Sequence, residues 1–266
     1  ERFVKWGPFE RGDIRDNARL TEVFAKHKPA AVIHCAALIE VGESVKFPDR
    51  FYDNNVTGAL VLLDVMREHG VNAFVFSSTC ATYGEPQRLP MDESHPQAPV
   101  SPYGWTKLMA ERASRDIAAS YGMKYAHLRY FNAAGACPEE EIGERHGPET
   151  HAIPLALFTL LGRRDGFKIF GSDWNTRDGS CLRDYVHTLD LADAHVRAAE
   201  RQARAFGVQV DTVLRGRLDR DVRVMQEREL AEDRRELAQS LFPRVLRGDQ
   251  IDGVFEVRAD RRRREV

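Results

Sequence analysis

A doubly wound α/β fold on a parallel sheet is predicted by three observations. Two short apolar runs, Ala31-Val32-Ile33 and Phe74-Val75-Phe76, each end in small or polar residues. Each follows a helix-like stretch, 17–27 before the first and 49–69 before the second. A third helix and strand then repeat the order, over 101–120 and 125–130. Short apolar runs separated by helices are strands covered on both faces, and that alternation is how parallel sheets are built.

The third helix has the clearest boundaries. Ser101 suits the N-cap, Pro102 suits the first helical position, and Gly122 suits the stop. From Gly135 to Gly179 the pattern loosens into Gly-, Pro- and charge-rich connections around one apolar helix, 154–161. Such a stretch reads as an inserted lobe. Asp184-Tyr185-Val186-His187 and a helix over 189–199 return to regular structure.

Composition sets the boundaries of function. With 42% hydrophobic and 9% aromatic residues in 266, the chain can bury a substantial core. A formal net charge of -2 provides no basic field, so nucleic acid is not an expected partner. No apolar run approaches the ~18 residues that span a bilayer, and the opening residues lack the apolar core of a secretory signal. Cys35, Cys80, Cys137 and Cys181 are widely spaced with no C-x-x-C pair. That usage fits a reducing cytoplasm rather than a disulfide framework or a zinc site. His34, His127 and His187 have no metal-ligand spacing, so no metal is expected.

Composition also breaks near residue 200. Residues 1–200 carry 16 Arg and 7 Lys, whereas 201–266 carry 16 Arg and no Lys. The expectation drawn from that break is a segment read out of frame; the rival is a basic, partly helical extension over 230–241.

The sharpest chemical signal is Tyr103-x-x-x-Lys107 on the third helix. Residues four apart share a helical face. A phenol with an ordinary pKa of about 10 is a poor base at neutral pH. A neighbouring ammonium would stabilise the phenolate and draw that pKa down. Tyr and Lys at this spacing are also common on solvated helices. Context strengthens the chemical reading. The second strand ends in Ser77-Ser78-Thr79, and hydroxyls at the C-terminal ends of parallel strands lie where such folds bind ligands.

These blocks, Ser77-Ser78-Thr79 with Tyr83-Gly84 and then Ser101-Pro102-Tyr103-Gly104-x-x-Lys107, resemble the active-site region of the UDP-glucose 4-epimerases. That family is of the extended short-chain dehydrogenase type. The resemblance continues in order through Gly12-Asp13-Ile14-Arg15-Asp16, Val32-Ile33-His34-x-Ala36-Ala37 and Val41-Gly42-Glu43-Ser44. It extends through Asn54-Asn55-Val56-x-Gly58, Arg129-Tyr130-Phe131-Asn132-x-x-Gly135 and Arg183-Asp184-Tyr185-x-His187-x-x-Asp190-Leu191.

The resemblance implies a Rossmann-like domain and reversible inversion at C4 of a UDP-hexose through a 4-keto intermediate, using bound NAD. It implies Tyr103 as the acid–base residue, Lys107 as its partner and ribose ligand, and Thr79 as the catalytic hydroxyl. Asp13 and Ile14 would line the adenine side of the cofactor; Ala36, Ala37, Asn54, Ser77, Tyr130 and Phe131 would complete its site. Asn132, His151 and Arg183, with Thr79, would meet the UDP-sugar. Pairing of helices 49–69 and 102–120 across a homodimer is implied in the same way.

Residues 1–134 are then expected to form a partial dinucleotide-binding domain, and 135–200 the substrate lobe with a returning strand and helix. The Arg-rich 201–266 has no counterpart in the pattern. The family's opening strand and Gly-rich phosphate turn are not found, so the chain is expected to be truncated at its N-terminus, with a catalytically inert fragment as an alternative. Ile39 stands where many members carry a cofactor-binding Lys, and His151 where others carry Asn. A dehydratase or decarboxylase on the same scaffold is the enzymatic alternative. Dehydratases place Asp-Glu after the active-site Thr, but Thr79 is followed here by Cys80-Ala81.

Overall fold

The computed structural model describes residues 7–144, 146–147 and 149–206; the expectations for the Arg-rich segment from 207 onward, with its 230–241 helix, lie outside them. The described residues of 7–144 and 182–206 form one compact unit, and those of 145–181 belong to a second.

The first unit carries a parallel three-stranded sheet in the order β1 (Val32–His34), β2 (Ala73–Ser77), β3 (Lys124–Leu128). Helix α1 (Asn17–His27) precedes β1; the Asp16 side chain caps it by accepting from the Arg19 amide. Between β1 and β2 lie α2 (Val41–Lys46), α3 (Pro48–Phe51), a π-helical turn (Tyr52–Thr57) and α4 (Gly58–Glu68). Helix α5 (Pro102–Tyr121) leads into β3. Asn132–Ala134 (β4) then pairs in parallel with Tyr185–His187 (β5), which runs into α7 (Thr188–Arg204). In the second unit, α6 (Ala152–Leu160) is the one helix among the described residues.

All five residues of β2 are buried, as expected of a strand covered on both faces. Phe74 and Phe76 alternate onto one face and join Phe24 of α1, Leu62, Leu63, Val65 and Met66 of α4, and Ala110 and Ala118 of α5 in a single cluster. Helix α7 packs along β2 and β3. The first unit therefore has the sheet-and-helix layering predicted from alternation. Among the described residues no helix is long and apolar enough to cross a membrane.

Several boundaries differ from the sequence reading, each for a local reason. Strand β1 is Val32–His34 rather than 31–33, because its register follows Val32↔Phe74 through His34↔Phe76. The single helix expected over 49–69 is segmented. Its first turn begins at Pro48, which cannot continue the preceding helix, and Tyr52–Thr57 widens into a π-turn. Strand β3 ends at Leu128 instead of 130. Strand β5 falls on the returning strand expected at 184–187, whereas β4 and its pairing with β5 were not anticipated, since a three-residue strand leaves almost no periodic signal. Helix α7 continues past 199 to Arg204, so regular structure crosses the compositional break.

Helix α5 matches its expected signals. The Ser101 side chain accepts from the Gly104 amide, Pro102 opens the helix, and Gly122 closes it at φ 73° with its amide bonded to the Ala118 carbonyl. Leu63 lies at the centre of the cluster with 0% exposure. Leu63→Ala should cost about 2–5 kcal/mol, read as a lower urea midpoint at unchanged slope.

Candidate active site

Helix α5 aims its buried face at the C-terminal end of β2. Tyr103, Lys107, Ala110, Glu111, Ser114 and Ala118 form that face at helical spacing. Its first turn approaches unusually closely: a Cβ on Gly104 would lie 2.7 Å from the Ala81 carbonyl oxygen and 3.0 Å from the Pro99 Cβ. Glycine lets the helix start directly against the loop that follows Thr79.

Three of the predicted residues meet there. The Tyr103 phenol lies close enough to the Thr79 side chain for that side chain to pull its titration down. The Thr79 hydroxyl also accepts from the Ala81 amide at 3.1 Å, which fixes the start of a 3-10 turn over Cys80–Thr82. Lys107 Nζ donates to the Ser77 carbonyl at 2.9 Å and stands 4.7 Å above the Phe76 ring. Ser77 Oγ and Tyr130 Oη are hydrogen-bonded to each other, so the same strand end is gripped from β3's side. Ligand sites at the carboxyl ends of parallel strands follow from the fold.

The electrostatics differ from the sequence expectation. Burial pushes the Tyr103 phenol up to about 12, with the Thr79 side chain pulling the other way. The Lys107 ammonium donates to the Ser77 carbonyl. Lys107 itself is lowered to about 8 by burial, against the opposing pull of Cys35 and Glu111. An ammonium has three N–H donors, yet Lys107 is bonded to one carbonyl. Its remaining donors are suited to hydroxyl acceptors such as a ribose diol.

A second group of predicted residues lies between α1 and the π-turn. Arg15 donates to both Asp13 carboxylate oxygens and also pairs with Asp53. The Arg15 hydrogen bonds hold Asp13 at about 2. Ile14 packs onto Gly58 so tightly that a Cβ there would lie 2.4 Å from Ile14 Cδ1. Asn54 is half-buried, and its Nδ2 donates to Asn55 Oδ1 at 2.9 Å. Ala36 is exposed and Ala37 half-buried in the loop after β1.

Asn55 is the residue the sequence reading missed. Its side chain accepts from the Leu38 amide at 2.8 Å and donates to the Leu38 carbonyl at 3.0 Å and to Thr106 Oγ1 at 3.1 Å. It ties the loop after β1 to α5. Ser44 does similar work, accepting from the Tyr103 amide at 3.2 Å. Both lie in recognised blocks, but only the paired Asn54-Asn55 could have prompted the choice between them.

The remaining predicted residues are placed as follows. Phe131 is exposed, and the Asn132 side chain donates to the Asp184 carbonyl at 2.8 Å across β4 and β5. Arg183 is exposed, bonded to the Leu182 carbonyl, and close enough to Cys80 to act on its thiol. His151 lies in the second unit at the start of α6, with Nδ1 2.9 Å from the Glu149 carboxylate.

The Lys107 result has a measurable sign. The unfolded lysine titrates near 10.5 and the folded one at about 8. Between those values the unfolded state binds the extra proton, so stability rises with pH across that window and is flat below it. The rise should amount to roughly 3 kcal/mol. Lys107→Met should abolish it, as read by urea unfolding at pH 7.5 and pH 10.

Comparison with known proteins places the chain in a family. The chain is 65% identical over 198 residues to a UDP-glucose 4-epimerase of Rhizobium leguminosarum bv. trifolii, covering 74% of this chain and 61% of that protein. It is 64% identical over 200 residues to the enzyme of the same name from Rhizobium meliloti (strain 1021), covering 75% and 61%. The chain thus spans about three-fifths of the length of these curated relatives. Among solved structures, UDP-glucose 4-epimerase from Brucella ovis in complex with NAD superposes with a TM-score of 0.74 at 51% identity, covering 76% of this chain and 62% of that one. The Bifidobacterium longum enzyme in complex with NAD+ and UDP gives 0.67 at 40% identity, covering 70% and 56%. Matched over residues 2–209, the chain belongs to the NAD dependent epimerase/dehydratase family.

Proposed function

We propose that the chain interconverts UDP-hexoses at C4, most simply UDP-glucose and UDP-galactose, with NAD as its cofactor. The observation that carries this reading is the convergence of Tyr103, Thr79 and Lys107 on the end of β2. Relatives 65% and 64% identical to this chain over their matched lengths carry the name UDP-glucose 4-epimerase.

Tyr103 would take the proton of the sugar 4-hydroxyl and later return it, while the Thr79 hydroxyl holds the same oxygen. Lys107 would hold the nicotinamide ribose through donors it does not spend on Ser77. Asp13, Ile14, Ala36, Ala37, Asn54, Ser77, Tyr130 and Phe131 are assigned to the cofactor, and Asn132, His151 and Arg183 to the UDP-sugar. Bound NAD would supply a hydride acceptor and donor at C4, and its cationic ring would favour the Tyr103 phenolate. Because the hydride returns, no net redox occurs.

The working division is a dinucleotide-binding part over 1–134, a substrate-lobe segment over 135–200 and the Arg-rich 201–266. Cytoplasmic residence is supported by four free cysteines. A homodimer through α4 and α5 is supported by exposed Leu60, Trp105 and Met109 on helices that pack together.

The test is direct. Incubation with UDP-glucose and NAD+ should yield UDP-galactose, and Tyr103→Phe should lower kcat by about 10²–10⁴-fold. A 4-keto-6-deoxy product would replace the reading with dehydration. Absence of both NAD binding and turnover would remove it.

A further inference from the structure

One turn beyond Lys107, α5 buries a carboxylate the reaction does not use. Glu111 is 0% exposed. Ser78 Oγ donates to its Oε1; Arg129 Nε donates to Oε1 at 2.9 Å and Arg129 Nη2 to Oε2 at 2.6 Å, and Gln97 Nε2 donates to Oε2 at 3.3 Å. His127 Nδ1 is 3.7 Å from Oε2. Burial opposes the charge, but the bonds from Arg129 and Ser78 outweigh it and hold the carboxyl below the usual range.

Two of these partners sit just past the ends of different strands. Ser78 follows β2, and Arg129 follows β3. Backbone bonds join the same segments on either side of Thr79: the Ser78 amide donates to the Leu128 carbonyl at 2.9 Å, and the Cys80 amide to the Tyr130 carbonyl at 3.0 Å. Arg129 reaches further, with Nη1 donating to Tyr83 Oη at 3.1 Å beyond the Cys80–Thr82 turn. Three successive turns of α5 thus engage three successive residues: Tyr103 reaches Thr79, Lys107 holds the Ser77 carbonyl, and Glu111 holds the Ser78 hydroxyl. A buried ion pair is weak evidence for stability, because apolar residues of equal volume often do as well. Its geometry here instead fixes where Thr79 stands.

We propose that Glu111, paired with Arg129, is a positioning residue that locks Ser78 and thereby sets the Thr79 hydroxyl against Tyr103. Its catalytic consequence rests on the epimerase reading above; the locking itself does not. A misplacement of about 1 Å at a reacting group can cost ~100-fold in rate, so loss of the lock acts on kcat more than on substrate binding.

The experiment compares Glu111→Gln with the unsubstituted 266-residue chain by hydrogen exchange and by kinetics with UDP-glucose. The Ser78 and Cys80 amides should exchange at least about 10-fold faster, with the α4 amides of Leu62–Met66 unchanged. The kcat should fall about 100-fold while KM moves less than about twofold. Unchanged exchange at 78 and 80, or acceleration in equal proportion throughout α4, overturns the proposal, as does unchanged kcat. Should Glu111→Gln fail to fold, Ser78→Ala leaves the Glu111–Arg129 pair intact and is judged by the same exchange pattern. If the unsubstituted chain shows no epimerisation, the exchange pattern still decides the lock, and the failure belongs to the epimerase reading.

Discussion

The burial of the Lys107 ammonium against the Ser77 carbonyl is the constraint around which this molecule is arranged. A charge in that position is costly, and the helix bearing it must meet the strand end at one height and rotation. The Ser101 cap sets the height, Gly104 permits the close approach, and the Phe76 ring provides a face the cation can occupy. Asn55 and Ser44 then tie the loop after β1 and the end of α2 to the same helix. Elements distant in sequence are in this way referred to one helix surface.

Placement and chemistry were unequally readable. The boundaries of α5 could be read because Ser, Pro and Gly each have a local steric or hydrogen-bonding reason to stand where they do. The convergence of Tyr103, Lys107 and Thr79 was readable from a helical spacing and a strand end. The direction of the Lys107 side chain was not, because it depends on a carbonyl contributed by a different element. In place of the Tyr103 acidity expected from spacing alone, burial raises the phenol. Likewise the π-turn over Tyr52–Thr57 reads as ordinary helix, since its apolar positions differ too little from a 3.6-residue period.

The two predicted ligand regions differ in character. Around Tyr103 the polar groups are buried or half-buried and held by the Lys107–Ser77 bond, hydroxyl contacts and the Glu111–Arg129 pair, so salt screens them little. Around Asp13 the groups are exposed ions, Arg15 between Asp13 and Asp53, whose attraction weakens with salt. Rigid placement is concentrated where a proton would move, and the softer electrostatics lie at the other end.

The contact of Ile14 on Gly58 carries a consequence for how this surface can drift over generations. Any side chain at position 58 must push aside the outer atoms of Ile14. Change at position 58 is therefore coupled to position 14, where another rotamer or a smaller residue leaves room.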